Sequence, residues 1–357
     1  MNGLNLLQQY IKEQELTGVI LLSPINLHYF AGFTGTTGFA IITEDKAFMI
    51  TDFRYTEQAT KQCEGYTVIQ YESSVMDTLV DIFNEHHIHE GLFAIEGKQM
   101  PVDTYESLCD TLDENFDFTS VNFAKLRAVK REDELELLRI AANIGDESFA
   151  ALLPQLKVGM TENEVRIILE TEMLKRGSEE PSFATIIASG SRSSMPHGVA
   201  SDKIIEAGDF VTIDFGSVYK GYHSDMTRTI VMGPASDLQK KLYSIVLEAQ
   251  KRGVAAVRVG ITGKELDAVC RDYIKEHGYT KEFNHGTGHG LGLEIHEEPV
   301  ANTKSDTVFT ENMIITVEPG IYITGTIGLR IEDSVIVKSD GYEVLTHSPK
   351  ELIEIGI

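Results

Sequence analysis

The residues best able to do chemistry are concentrated in one glycine-rich segment, residues 284–299, which reads NHGTGHGLGLEIHEEP. It carries three of the chain's eleven histidines, His285, His289 and His296. The first two are four residues apart, a spacing that on a helix would indicate a metal-binding pair. Glycine at every second position of residues 286–292 makes a helix unfavourable, at ~1 kcal/mol per glycine relative to alanine. The pattern instead predicts an extended segment with one bare face, where backbone or ligand can come close, and with His285 and His289 on the other face. A glycine-rich loop with incidental histidines is the alternative.

Four carboxylates occupy matching positions in two similar stretches of strand-forming sequence. Asp214 and Asp225 lie in the first stretch, and Glu318 and Glu332 lie in the second. Asp214 and Glu318 sit among β-branched residues, where a buried carboxylate is costly unless it is paired or metal-bound. Four converging carboxylates would repel one another, and some would stay protonated. Two divalent cations would balance the four negative charges, and His289 would add a nitrogen ligand. Each acid taken alone is equally compatible with a solvated strand end.

This ligand set suits particular metals and a particular reaction. A site of four carboxylates and one imidazole favours manganese, with cobalt or zinc also compatible, over a thiolate-bound structural zinc. Two bridged metal ions lower the pKa of a shared water and polarise a carbonyl, which suits hydrolysis of an amide. Glu318 is placed to act as both ligand and proton carrier.

Two further histidines lie at equivalent points of the two stretches. His197 occurs in SMPHGVAS and His296 in LEIHEEP. They could hydrogen-bond the substrate carbonyl and the developing oxyanion from two sides. A loop histidine that only packs is the alternative for His197.

An internal repeat positions these residues. VGMTENEV (158–165) and VGITGKEL (259–266) align without gaps, and each carries a T-x-x-E capping box that predicts the start of a helix. Gly177 and Gly278 follow at the same distance and predict helix ends with a left-handed cap. The capping pairs are Thr161 with Glu164 and Thr262 with Glu265.

The strands after these helices correspond as well. VTIDFGSVY (211–219) matches ITVEPGIYI (315–323), and SDMTRTIVM (224–232) matches IEDSVIVK (331–338). A helix predicted over residues 236–257 joins the two copies. Two copies are too few for a solenoid, so we interpret the duplication as two halves of one domain packed around a shared site.

The part of the chain before about residue 123 alternates helical and strand patterns, which predicts a small α/β domain. The GFTGTTG run (32–38) lacks the GK[ST] ending and the strand–loop–helix order of a phosphate loop, so we interpret it as an ordinary loop. Helices are predicted over 4–14, 76–85 and 102–112, and strands over 18–22, 38–42, 47–51, 66–71 and 92–95.

From Arg131 onward the pattern becomes that of a long amphipathic helix. Leu135, Leu138, Ala142 and Phe149 fall on one apolar stripe. We therefore predict two domains, over residues 1–124 and 125–357.

Composition excludes several classes of protein. The chain has 357 residues, and its net charge of −24, from 31 basic and 55 acidic residues, argues against nucleic acid or an anionic membrane as partner. Cys63, Cys109 and Cys270 are odd in number and far apart, which argues against a disulfide framework. The first residues lack an apolar signal region, and no apolar run is long enough to span a bilayer. These features predict a cytoplasmic protein.

As a set, the motifs resemble those of the pita-bread metallopeptidases, and within them the prolidase/aminopeptidase P branch. The matching segments are DFGSVYKGYHSDMTRT, HGTGHGLGLEIHEEP, TVEPGIY and GLRIED, which cover most of the second domain. The first domain is similar to the creatinase-type N-terminal domain of that branch. The resemblance implies an α+β fold, in which a pita-bread domain with a pseudo-twofold repeat follows a smaller creatinase-like α/β domain.

The resemblance also implies roles for individual residues. Asp225 and Glu332 would bridge two divalent metal ions. Tyr322 and Arg330 match positions near the site in aminopeptidase P relatives. His223 stands where many relatives have a small residue, and nothing in the sequence explains its effect. The implied metal ligands are Asp214, Asp225, His289, Glu318 and Glu332, and the implied substrate-facing histidines are His197, His285 and His296.

The resemblance implies a homodimeric metallopeptidase that hydrolyses the Xaa-Pro bond of dipeptides or short peptides with a metal-bridged hydroxide. The choice between an Xaa-Pro dipeptidase and an Xaa-Pro aminopeptidase stays open, although the short chain favours dipeptides. Three alternatives share the fold. A methionine aminopeptidase usually lacks the first domain, a creatinase-like hydrolase has no metal, and a non-catalytic binding module would be expected to have lost ligands.

Overall fold

The computed structural model describes residues 2–356 as a series of helices and mostly short strands. Contacts between Cα atoms divide the chain into two units, one ending at Lys125 and the other beginning at Leu126. Over the described range, no helix is both long and apolar enough to cross a membrane. The helices are α1 Gly3–Glu13, α2 Pro24–Ala31, α3 Thr56–Gln62, α4 Val75–Glu85, α5 Val102–Thr111, α6 Ala124–Arg127, α7 Glu132–Leu152, α8 Glu162–Lys175, α9 Asp237–Ala256 and α10 Gly263–Glu276, with 3-10 turns at Leu153–Gln155 and Gly190–Ser194. The strands are β1 Gly18–Leu21, β2 Phe39–Ile42, β3 Ala47–Thr51, β4 Thr67–Gln70, β5 Gly91–Glu96, β6 Phe116–Val121, β7 Ile186–Ser189, β8 Phe210–Phe215, β9 Val218–Tyr219, β10 Tyr222–His223, β11 Met226–Met232, β12 Gly288–Gly290, β13 Glu297–Ala301, β14 Ile314–Val317, β15 Gly320–Ile323, β16 Ile327–Arg330, β17 Asp333–Lys338, β18 Gly341–Val344 and β19 Ile353–Ile355.

The first unit is built on one mixed sheet with the strand order β4-β3-β2-β1-β5-β6. The central strands β1, β2 and β3 pair antiparallel in turn, whereas β5 and β6 continue the sheet in parallel. Buried residues such as Ile20, Ile41 and Phe93 form its core with Leu79 and Phe83 of α4. The predicted α/β pattern is confirmed, and the GFTGTTG run is a loop.

Three elements of this unit were not predicted. α2 is apolar on nearly all sides, so it shows no stripe, although the Ser23 cap and Pro24 in its first turn were available signals. α3 is polar and buries only Ala59 within its length, so periodicity gives no signal there. β6 is an edge strand whose alternating Phe116 and Phe118 could have identified it.

The second unit consists of two similar halves. The first half packs α7 and α8 on β7, β8 and β11, around a core that includes Phe149, Leu169 and Ile213. The second half packs α9 and α10 on β14 to β17, around a core that includes Val246 and Leu266. The predicted apolar stripe of α7 is buried throughout. The duplicated helix–hairpin unit is therefore confirmed as the architecture of this region.

The helix ends of the two halves follow the repeat. Both predicted capping boxes form, with Thr161 and Glu164 starting α8 and Thr262 and Glu265 starting α10. Gly177 and Gly278 follow the two helices with φ of 97° and 90°, as a left-handed cap requires. The three cysteines are free thiols, in agreement with the sequence.

The strands predicted over residues 211–219 and 315–323 are each broken near the carboxylate. β8 ends at Phe215 and β9 begins at Val218, whereas β14 ends at Val317 and β15 begins at Gly320. A Cβ at Gly216 would overlap the carbonyl oxygen of Ser224, so only glycine lets the chain turn there. Each break leaves its carboxylate at or near a strand end rather than within a continuous strand.

A buried ion pair ties the two halves together. Arg228 of β11 is 1% exposed and donates to the Asp333 carboxylate at 2.8 Å. Its other hydrogen bonds reach the carbonyl oxygens of Thr227, Glu332, Ser348 and Pro349. One guanidinium therefore holds strand ends of both halves at once.

Arg228→Met should lower the free energy of unfolding of the metal-stripped protein by roughly 3–5 kcal/mol, because it removes one partner of a buried ion pair. Urea unfolding followed by circular dichroism measures this loss. Lys251→Met is the matched control, since Lys251 forms a 3.7 Å pair with Glu351 in which both side chains are exposed. Its removal should change the free energy by no more than about 1 kcal/mol. Equal losses in the two variants would contradict a special role for Arg228.

Candidate metal and catalytic site

Antiparallel strand pairs place the four carboxylates. Asp214 lies in β8, and Asp225 directly precedes β11, which pairs with β8. Glu318 directly follows β14, and Glu332 directly precedes β17, which pairs with β14. The backbone N–H of Glu332 donates to the carbonyl of Thr227 at 3.1 Å, which joins the two pairs. The repeat thus brings together four carboxylates, one from β8 and one each from the ends of β11, β14 and β17.

His289 reaches this place on β12, where the alternating glycines allow a close backbone approach. A Cβ at Gly288 would overlap the carbonyl oxygen of Thr316, and one at Gly290 would overlap that of Glu298. The Nδ1 of His289 hydrogen-bonds the Gly290 carbonyl at 3.0 Å and therefore carries the ring proton. Its Nε2 is left as an acceptor inside the site.

The distances among these groups are those of a metal site. His289 Nε2 lies 3.5 Å from Asp225 Oδ2 and 3.4 Å from Glu318 Oε1. Ligand atoms of Asp225, His289 and Glu332 all lie within 4.8 Å of one another. Asp214 Oδ1, Asp225 Oδ1 and Glu332 Oε1 are buried and accept no hydrogen bond from any residue between 2 and 356. Buried oxygens without donors are costly, so this donor set fits divalent cations.

Burial and mutual repulsion disfavour the charged carboxylates. The pKa of Asp225 is raised well above its ordinary value by burial and by the Glu332, Asp214 and Glu318 charges. The pKa of Glu332 is raised in the same way, by burial and then by Glu318 and Asp214. Burial, with the Asp214 charge, raises the pKa of Glu318 to about 7. Positive charge in the cluster would reverse these shifts, as bound cations do.

Arg330 supplies the nearest positive charge. It is buried, donates to the Asp214 carboxylate, and also donates to the Tyr322 hydroxyl at 2.5 Å. Its Nε donates to Thr227 Oγ1 at 3.0 Å. Arg330 lines the cavity, whereas Tyr322 does not. Burial raises the pKa of Tyr322 to about 12, so its hydroxyl stays protonated. The pair therefore orients Asp214, and only its guanidinium reaches the cavity.

The four histidines for which the sequence predicts contact with metal or substrate differ in environment. Burial, with the Arg330 charge, lowers the pKa of His285 to about 4, and its buried Nε2 has no hydrogen-bond partner among the described residues. Burial lowers the pKa of His289 and of His296, whose ring centroids are 4.4 Å apart. His197 is exposed and lies on the loop after the 3-10 turn. All four line one cavity.

The structure adds residues that sequence reasoning missed. Thr227 donates to Glu332 Oε2 at 2.7 Å, and Thr316 donates to Glu318 Oε1 at 3.1 Å. Each threonine is two residues from a carboxylate of the set, Asp225 or Glu318, a spacing that puts side chains on one face of a strand. That spacing was a usable signal. His223 is two residues before Asp225 but does not line the cavity. Its backbone N–H donates to the Gly292 carbonyl at 2.8 Å, and its buried Nδ1 has no hydrogen-bond partner within the described range.

The cavity has a volume of about 410 Å³. Its lining includes the carboxylates and histidines described above. The apolar residues of the lining, which we call the apolar wall, are Phe183, Ala184, Ile186, Pro196, Val199 and Ile295. A small cavity with convergent polar groups and an apolar wall is typical of a site for a small molecule.

The chain matches two family models and several proteins of known structure. Residues 136–339 match the model of metallopeptidase family M24, and residues 4–129 match the creatinase/prolidase N-terminal domain. The structure of an Xaa-Pro dipeptidase from Bacillus anthracis is 46% identical, with a TM-score of 0.95 and coverage of 99% of both chains. An Xaa-Pro dipeptidase from Pyrococcus furiosus is 38% identical over 97% of this chain and 98% of its own. The structure of an X-Pro aminopeptidase from Thermotoga maritima is 37% identical, with a TM-score of 0.89, over 96% of this chain and 98% of its own.

Glu318→Gln should stabilise the metal-stripped protein at pH 8 relative to the parent and should have little effect at pH 5. The folded pKa of Glu318, about 7, exceeds its ordinary value of 4.5, so the folded chain holds this proton more tightly than the unfolded chain. Its contribution to stability is therefore present at low pH and is lost as pH rises from about 4.5 to about 7. Thermal unfolding in a chelator at both pH values measures the difference.

Glu343→Gln is the control of opposite sign. Its hydrogen bond to Arg139 lowers the pKa of Glu343, so ionisation stabilises the fold and the glutamine should be the less stable form at pH 8. A Glu318→Gln variant that is less stable than the parent at pH 8 without metal would contradict the raised pKa.

Proposed function

Because the chain belongs to metallopeptidase family M24, we propose that it hydrolyses the peptide bond before proline in dipeptides and short peptides. The observation that carries the proposal is the convergence of His289 with four carboxylates, three of which have buried oxygens without donors, at one cavity. Relatives that align over nearly the whole chain are named Xaa-Pro dipeptidases, and they support the choice of substrate. We further propose that residues 125–357 form the catalytic domain.

The metal ligands that we propose are Asp214, Asp225, His289, Glu318 and Glu332, for two divalent cations per chain. Asp225 and Glu332 would be the bridging pair, as the family resemblance implies, and each has one buried oxygen without a hydrogen-bond donor among the described residues. The oxygen-rich set favours manganese over a metal that prefers thiolate. When bound, the ions would activate water and polarise the scissile carbonyl.

Glu318 can hold the proton that moves during hydrolysis. Burial leaves its carboxyl with a pKa of about 7 when no cation is bound, and Thr316 fixes Oε1 by a 3.1 Å hydrogen bond. A carboxylate in a fixed position can take a proton from the attacking water and return it to the leaving amine. Asp214 is instead paired with the Arg330 guanidinium.

The histidines on the cavity wall can bind the substrate. His197 and His296 can donate to the substrate carbonyl oxygen, which gains negative charge as the tetrahedral intermediate forms. His285 is neutral at pH 7 and can hydrogen-bond a terminal group of a small peptide through its unpartnered Nε2. These roles rest on placement at one cavity.

The apolar wall can accept the proline ring. Phe183, Ile186, Val199 and Ile295 offer contact to its methylenes, and a proline residue brings no amide N–H that would need a partner there. The modest volume of the cavity favours dipeptides over longer chains. Homodimer formation and a cytoplasmic location stay predictions.

Hydrolysis of Ala-Pro, Ala-Pro-Ala and Met-Ala, measured side by side with added manganese, tests this proposal. We expect Ala-Pro to be cleaved fastest and Met-Ala to be cleaved least. Cleavage of Met-Ala alone would indicate a methionine aminopeptidase instead. Binding without cleavage of any of the three would indicate a non-catalytic protein of the same fold.

His289→Ala and His197→Ala should fail in different ways. His289→Ala removes a metal ligand, so metal content and activity should fall together and excess manganese should partly restore activity. His197→Ala should keep its metal and lose roughly 10²–10³ in kcat/KM, as for one lost oxyanion donor. Elemental analysis and Ala-Pro hydrolysis distinguish the two. Metal loss in His197→Ala, or near-normal turnover, would contradict the role proposed for His197.

A further inference from the structure

The two halves of the second unit share a pattern of backbone hydrogen bonds in the first turns of α8 and α10. In the first half, the N–H groups of Glu162 and Asn163 donate to the carbonyls of Lys203 and Ser201. In the second half, those of Gly263 and Lys264 donate in the same way to Thr307 and Ser305, and all four distances lie between 2.8 and 3.1 Å. Glu162 and Ser201 are thus the structural counterparts of Gly263 and Ser305.

The counterparts differ in one side chain. The Glu162 carboxylate is fully buried and accepts from the N–H and Oγ of Ser189, both at 2.8 Å, and from the N–H and Oγ of Ser201, at 3.1 and 2.6 Å. Gly263 has no side chain, and a Cβ there would overlap the carbonyl oxygen of Val300. The buried Ser305 Oγ accordingly has no hydrogen-bond partner among the described residues. The second half forms the same backbone arrangement without such a carboxylate, so the Glu162 carboxylate is a feature of the first half alone.

The residues that Glu162 holds are the two ends of one loop. Ser189 ends β7 and Ser201 lies beyond the 3-10 turn, so both ends of the segment 189–201 bind the same carboxylate. Arg192 adds a third link, since one of its nitrogens donates to Glu162 and the other donates to the carbonyl of Val199 at 2.9 Å. Glu162 thus binds both ends of the loop, at Ser189 and Ser201, and Arg192 links Glu162 to Val199.

His197 lies on this loop and depends on it for position. Its imidazole is exposed and hydrogen-bonds no other residue within 2–356, whereas its carbonyl accepts from the N–H of Val199 at 2.9 Å. A side chain without partners of its own is placed by its backbone. In contrast, His289 is fixed by its own hydrogen bond to Gly290.

We propose that Glu162 is a positioning residue for His197: by closing the loop 189–201, it sets where the imidazole meets the substrate. The inference rests on the proposed function, which gives His197 its contact with the substrate. Glu162 is neither a cavity-lining residue nor one of the proposed metal ligands, so it would act only through the loop.

A double-mutant cycle tests the proposal on the manganese-loaded protein. Glu162→Gln replaces one acceptor oxygen with an N–H donor that faces other donors, which should release one end of the loop. It should lower kcat/KM for Ala-Pro by roughly 10- to 100-fold, the scale of a misplaced catalytic group, with metal content unchanged. In a His197→Ala background the same change should have almost no further effect, because the group it positions is gone. Equal fold losses in both backgrounds would overturn the proposal.

Two further variants control for the loss of a nearby carboxylate and for misfolding of Glu162→Gln. Glu164→Gln removes a neighbouring carboxylate that caps α8 but does not touch the loop, and it should keep kcat/KM close to the parent's. Arg192→Gln changes a partly exposed side chain and so should fold even if Glu162→Gln does not. It should lower kcat/KM in the same direction and should also lose its effect in the His197→Ala background. A full effect of Arg192→Gln in that background would overturn the proposal.

Hydrogen exchange separates this inference from the proposed function. Glu162→Gln should speed amide exchange within residues 190–200 and leave α8 unchanged. Unchanged loop exchange would overturn the positioning role whatever the activity. An inactive parent protein on Ala-Pro would instead count against the proposed function.

Discussion

The constraint on which the second unit depends is the free energy of burying several carboxylates side by side. Asp214, Asp225, Glu318 and Glu332 share one cavity wall, and the charge of Arg330 meets only Asp214 directly. Without cations the pKa values of the other three rise, so the cluster favours protonation over charge. The Arg228–Asp333 ion pair holds the strands beside the cluster, and threonine hydroxyls donate to Glu332 and Glu318. The fold thus holds together a cluster whose own charges oppose it, and divalent cations would remove this conflict.

The internal repeat accounts for the features that the two halves share, whereas other features of the site occur in one half only. Capping boxes, helix-end glycines and broken strands recur in both halves, because they build the frame. The surroundings of the histidines differ between the halves. The first half holds the loop that carries His197 with Glu162, whereas the second half brings His289 on a strand that glycine allows to approach the β14 backbone. Duplication therefore supplies matching carboxylates, and local differences position the histidines.

Much of this was predictable from sequence, because the signals were local. The fold class and the family resemblance are confirmed by the matched family models and by structures with high TM-scores. An apolar stripe predicted α7, and capping boxes predicted the starts of α8 and α10. α2 and α3 were missed because one is apolar on nearly all sides and the other is polar, so neither has a stripe. The roles of the site residues stay predictions. What the sequence could not reveal was the second layer of contacts, such as Glu162 with Ser189, because it joins residues that are distant along the chain and share no motif.

The assembly of the site from both halves has a consequence for how the protein acquires metal. Thr227 and Glu332, which are hydrogen-bonded in the finished site, are 105 positions apart in the chain. During synthesis, the first-half carboxylates emerge long before Glu318 and Glu332 exist. Until Glu318 is made, a nascent chain can offer an ion at most three of the five proposed ligands, namely Asp214, Asp225 and His289, which is a weak and unselective site. Selective metal loading must therefore follow the docking of the two halves, so the cell's metal supply acts on the folded protein and not on the growing chain.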